Sequence, residues 1–224
     1  MDIPAGTELR RLLAVRVPDL VEYQNERYAR EYTEFVERVR EAEARRIPGS
    51  TSVTEAVARN LHKLMAYKDE YEVARLSIDP ALQAQVEHQF GAGARYSYRL
   101  HPPVLRAIGL QKKISLGRWF RPAFRILRGM RGLRGTRLDL FGYATVRRVE
   151  RALVTEYREV IEEAVVQLGP ATLGTVVELA GLPDLVRGYE DIKLSSVARY
   201  RERLADVRAE LGSPSPLAPV EGGG

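Results

Sequence analysis

Along most of the chain, apolar residues recur at the three-to-four-residue spacing that puts side chains on one face of an α-helix. Val21, Tyr28, Tyr32, Phe35 and Val39 form one such stripe, in a stretch that Pro18 and Asp19 open and PGSTS (48–52) breaks. Ser52 with Glu55 reads as a capping box, so a second long helix is expected from there to about Ser77. Val53, Val57, Leu64 and Tyr71 lie on its oily face, yet Lys68 and Arg75 fall on that face too. Asp79 and Pro80 restart a shorter helix along Leu82, Val86 and Phe90. From about Gly142 to Leu168 the spacing predicts a long helix carrying Val149, Leu153, Tyr157 and Val160, which Gly169 and Pro170 stop. A short helix to about Gly181, another near Pro183 and a last one to about Leu211 complete the set.

The period changes to two only after the glycines at 91 and 93, where Tyr96, Tyr98 and Leu100 alternate with Arg95, Ser97 and Arg99. With a second short strand at Lys112 to Leu116, this predicts one antiparallel β-hairpin near residues 94–116. Trp119 to Leu133 returns to helical spacing, interrupted by glycines at 129, 132 and 135. The expected fold is therefore mainly α: a single multi-helix domain over residues 1–211, with one small hairpin and a possible internal boundary near 91–117. The tail at 212–224, GSPSPLAPVEGGG, has too few apolar groups to offset chain entropy and is expected to be disordered.

With 224 residues, 45% of them hydrophobic, a sizeable core can form. No apolar run reaches the ~18 residues that span a bilayer, and MDIPAGTELRR lacks the apolar stretch of a secretory signal, so a cytoplasmic location is expected. Cysteine is absent, which excludes disulfides, thiol catalysis, thiolate zinc sites and four-cysteine iron–sulfur ligation. His62, His88 and His101 have no i, i+4 partner to clamp a metal from one helix face. Charge is unevenly spread: His88 to Leu138 holds 12 Lys or Arg and no Asp or Glu, leaving the remainder at a formal −7 within a total of +5.

Two constellations follow. Arg118, Arg121, Arg125 and Arg128 step by three or four into a cationic ridge, with Trp119, Phe120, Phe124 and Leu127 on the opposite side. Such a helix can lie on anionic lipid, grip phosphates or dock on an acidic protein, or it can be a solvated face paired with the acidic remainder. Arg118, Trp119, Arg121, Phe124, Arg125 and Arg128 are the candidate partner-binding residues. In LMAYKDEYEVAR (64–75), Lys68 and Glu72 stand i, i+4 and Glu72 and Arg75 stand i, i+3, so Lys68, Glu72 and Arg75 are the candidate structural charge network. An acid–base role there would need a burial-shifted pKa. The glycines every third residue match no phosphate-cradling loop, and no G-x-S-x-G elbow occurs.

KLMAYKDEYEVARL (63–76), LHPPVLRAIG (100–109), RGTRLDLFGYATVRRVERALVTEY (134–157) and LPDLVRGYEDIKLSSVARYRE (182–202) resemble the C-terminal helical region of bacterial fused indolepyruvate ferredoxin oxidoreductases, in the same order. The resemblance covers essentially all but the last dozen residues. It implies a parent enzyme that decarboxylates aryl pyruvates on thiamine diphosphate and magnesium and passes electrons through iron–sulfur clusters to ferredoxin. The G-D-G thiamine motif is missing here, so no catalytic, cofactor-binding or metal residue is carried over. The expected role is a non-catalytic accessory and assembly domain, with the parent's catalytic domains and ferredoxin as partners and no membrane span. The alternative is a module binding nucleic acid or an anionic surface through the basic helix 118–134.

Overall fold

The computed structural model describes residues 7–91, 98–100, 114–116 and 120–212. Nine α-helices run through them: α1 (Glu8–Tyr23), α2 (Glu26–Arg46), α3 (Ser52–Met65), α4 (Glu70–Ser77), α5 (Pro80–Phe90), α6 (Arg121–Gly129), α7 (Thr145–Val166), α8 (Leu173–Gly181) and α9 (Glu190–Gly212). Short 3-10 turns at Met130–Leu133 and Leu182–Leu185 follow α6 and α8. Apart from two three-residue extended pieces, the described residues are helical or in connecting turns.

That composition corrects the expected hairpin. Among the described residues only Tyr98–Leu100 and Ile114–Leu116 lie alongside each other in extended form, over three residues each. Pairing this short makes no sheet on which helices could pack. The rest of the 94–116 segment, and the 213–224 part of the tail, lie outside the described residues.

The chain forms two compact units that do not follow chain order. The first comprises residues 1–15, 31–63 and 154–224, the second 16–30 and 64–153. The division falls inside α1, α2, α3 and α7.

In the first unit, two buried tyrosines carry their hydroxyls to backbone carbonyls. Tyr32 donates to Ala58 O at 2.8 Å and Tyr157 to Ala180 O at 2.8 Å. Burial raises the Tyr157 hydroxyl's pKa well above the ordinary phenol range. The start of α3 differs from the expected capping box. The fully buried Glu43 carboxylate of α2 takes Val53 N at 3.0 Å, Thr54 N at 2.8 Å, Thr54 Oγ1 at 2.6 Å and Ser50 Oγ at 2.7 Å. A carboxylate on a helix N-terminus meets both unpaired N–H groups and the positive end of the helix dipole.

In the second unit, Ala74 and Ile78 of the α4 region pack with Phe124 of α6, flanked by Phe120 and Leu127. Asn25 accepts from Tyr28 N at 2.9 Å beside the start of α2, and Asp79 caps α5 through Ala81 N at 2.8 Å, with Pro80 as its first residue. Pro18 lies within α1 rather than opening a helix.

Candidate functional site

The helix expected to run unbroken from Ser52 to Ser77 stops at Met65 and restarts at Glu70. Asp69 is the cause: its carboxylate accepts Glu72 N at 2.8 Å, which caps α4, and a capping residue takes extended rather than helical backbone. The carbonyls left at the end of α3 find other donors. Tyr28 donates to Met65 O at 3.1 Å, and Tyr67 O accepts from both the Tyr23 hydroxyl at 3.0 Å and Asp69 N at 3.0 Å.

Into this break comes Arg134. Its Nε lies 2.5 Å from Asp69 Oδ2 and its Nη2 2.8 Å from Asp69 Oδ1, a bidentate pair in which each side chain is 3% exposed. Nη1 donates to Tyr23 O at 2.5 Å, and the guanidinium lies 3.6 Å from the Tyr23 ring centroid. Burial opposes the charge on Arg134, but its hydrogen bonds to Asp69 and the Asp69 charge outweigh that and hold its pKa above the ordinary arginine value. The surrounding phenols are kept neutral. Burial first and the Asp69 charge second push Tyr67 up to about 12 and raise Tyr23 well above the ordinary phenol value.

Asp139 anchors the next layer. It accepts Tyr71 Oη at 3.2 Å, Gly135 N at 2.8 Å and Gly142 N at 3.0 Å, and so folds residues 135–143 into a closed loop. Gly142 is required: a Cβ there would collide with the Asp139 carboxylate. Arg147 of α7 donates to Glu150 at 2.7 Å and stands 3.4 Å from Glu70. Burial raises the Glu70 pKa against the pull of Arg147.

The structure separates the sequence-expected network. Arg75 donates to Glu72 at 2.8 and 2.7 Å and to Asp19 at 2.8 Å. Lys68 is corrected: it sits in the helix break, exposed, and makes no ion pair among the described residues, because the break rotates it off the stripe. On the basic ridge, Arg118 and Trp119 lie outside the described residues. Phe124 is corrected as a docking anchor, since it is buried against Ala74 and Ile78. Arg128 pairs with Glu22 at 2.9 Å, Arg121 is half-buried, and Arg125 is exposed.

Arg134 and Asp139 were not singled out by sequence reasoning, and Asp69 was weighed only with Lys68 and Glu70 for an acid–base role, not as a cap or an ion-pair partner. Asp69 had a signal, an Asp three residues before Glu72, the spacing of a capping box inside an apparently continuous helix. Arg134 had none, since its partner is 65 positions away.

The chain supplies no thiolate ligands for the iron–sulfur clusters of the resembled enzyme. Iron–sulfur clusters take thiolates and the chain has no cysteine, and among the described residues no group of three His, Asp or Glu could hold a metal ion. No described helix is long and apolar enough to cross a membrane. The site is built on the Asp69–Arg134 pair and the Asp139 hydrogen bonds, while Glu70 Oε2, Arg147 Nε and Arg151 Nη1 are buried without a hydrogen bond among the described residues. No curated protein and no solved structure matches the chain. A family of unknown function, DUF6537, matches residues 9–206, and the chain belongs to that family.

Proposed function

We propose that this chain is a non-catalytic docking and assembly domain of an indolepyruvate ferredoxin oxidoreductase-type enzyme, whose thiamine diphosphate-dependent chemistry takes place on other polypeptide segments. The observation that carries the reading is how the charged residues of two resembling segments are used. Asp69 of the first, and Arg134 and Asp139 of the third, bind one another's helices and loops and hold a surface in shape. Arginine not consumed in this way, Arg125 above all, faces outward from a stretch without acidic residues. Such a surface favours an acidic partner, with the long-range attraction acting mostly on association rate and orientation.

The test mixes the purified chain with the thiamine diphosphate-containing polypeptide of such an enzyme and measures binding and turnover across salt concentration. Charge reversal at Arg121 and Arg125 is expected to weaken binding about tenfold at low salt, and the difference should shrink above roughly 0.5 M salt as screening shortens the reach of exposed charges. Binding that the reversals leave unchanged removes the basic ridge from the mechanism. Product formation by the isolated chain removes the reading altogether.

A further inference from the structure

We infer that the outer face of the 135–143 loop, formed by Leu138, Leu140 and Tyr143 beside Arg137, is the apolar centre of the docking surface and fits an acidic protein partner with small hydrophobic clefts. The inference rests on the docking reading and names the part of the second unit that makes the contact.

The loop alternates direction. Asp139 and Gly142 are buried, and the Phe141 ring lies edge-on to Tyr71, its centroid 5.1 Å away. Leu138, Leu140 and Tyr143 turn the other way and are 69%, 67% and 65% exposed. Exposed apolar residues scattered singly need no explanation, but three large ones within six positions make a patch of the kind that marks an interaction site.

The patch is also held still, which loops that merely tolerate exposed leucines have no reason to be. Asp139 accepts both Gly135 N and Gly142 N, and Arg151 Nη2 donates to Gly142 O at 2.7 Å. Thr136 Oγ1 donates to Leu133 O at 2.7 Å, and Tyr143 Oη donates to Arg137 O at 2.8 Å, fixing the ring across the loop. A loop ordered before binding loses little conformational freedom when the partner arrives, so contacts made by two leucines and a tyrosine translate into affinity. Tyrosine and arginine are also the residues over which binding energy concentrates.

Charge selects the partner. Arg137 in the loop and Arg148 at the start of α7 are exposed and have no ion pair among the described residues. The acid within the loop, Asp139, is turned inward. Symmetric pairing with a second copy would bring these arginines together, whereas an acidic rim would meet them with opposite charge.

The experiment uses the full chain and, as probe, the same thiamine diphosphate-containing polypeptide. Leu138→Ser/Leu140→Ser is expected to weaken binding by about tenfold or more at every salt concentration, because the lost contact is apolar, with unchanged circular dichroism and melting temperature. Arg137→Glu should weaken it in a salt-sensitive way. If the double variant binds like the wild type while Arg125→Glu binds less well, the loop is not the contact and the docking reading stands. If the wild type does not bind at all, both fall. A wild-type dimer in sedimentation that the double variant abolishes overturns the acidic partner in favour of a second copy.

Discussion

Two buried carboxylates, one in each unit, are made tolerable by different means. Glu43 is neutralised by a helix N-terminus and two hydroxyls, all supplied by Ser50, Val53 and Thr54, with no cation among these partners. Asp69 also caps a helix, but it needs Arg134 as well, and that arginine brings a second buried charge with it. The Glu43 arrangement is nearly local, since a carboxylate on α2 meets the next helix a few residues on. The Asp69 arrangement ties together segments far apart in the chain. Burying an ion pair costs desolvation on both sides and is a poor source of net stability, but removing one partner leaves the other stranded. The contrast teaches that Glu43 serves the integrity of one helix start, while Asp69 and Arg134 specify how α1, α4 and the segment after α6 come together in the second unit.

The largest expected effect comes from breaking the long-range pair. Arg134→Met should destabilise the protein by about 3–5 kcal/mol, read by chemical denaturation, because Asp69 loses its buried counter-charge. Adding Asp69→Leu should restore part of this, since two apolar groups tolerate burial. Recovery should stop about 1 kcal/mol short, because the α4 cap is lost too. Full recovery would show that Asp69 contributes nothing as a cap.

Glu43→Gln is next, at about 1–3 kcal/mol, because an NH2 group replaces one acceptor facing an N–H donor. A loss as large as that of Arg134→Met would erase the distinction between the two sites.

A smaller effect sharpens the comparison by pH. Tyr67 ionises at about 12 in the folded chain, against roughly 10 in an unfolded one. Its pKa is raised, so the folded state holds the proton more tightly, and the stability this contributes is complete below about pH 10 and lost as pH climbs toward 12. Tyr67→Phe should move the alkaline unfolding midpoint upward, measured by circular dichroism. An unmoved midpoint would mean that other phenols control it. Smallest of all, Lys68→Ala should change stability by no more than about 0.5 kcal/mol, as expected of an exposed residue outside the network.

Much of the helical order could be read without coordinates. The restart at Asp79 and Pro80, the long helix ending near Leu168, and the last helix to about residue 211 follow from period, caps and stop residues, all of which act within a few positions. The hairpin expectation went astray because alternation over five residues is a weak signal and two strands alone gain too little to shape a fold. Phe124 was read as a surface anchor because helical spacing shows that a residue has an apolar face but not what covers it. Ala74 and Ile78, some fifty positions earlier, do.

The amino-acid order alone determined that the chain is helical, that it lacks cysteine and therefore thiol chemistry, and that its positive charge is concentrated between His88 and Leu138. Those are properties of composition and of interactions within one or two helical turns. Only tertiary structure decided which charges were consumed: Asp69 by Arg134, Arg128 by Glu22, Arg75 by Glu72 and Asp19, with Arg125 and Arg137 left facing solvent. Electrostatic pairing depends on distance in space and on desolvation, and for residues up to 106 positions apart neither is encoded in local spacing.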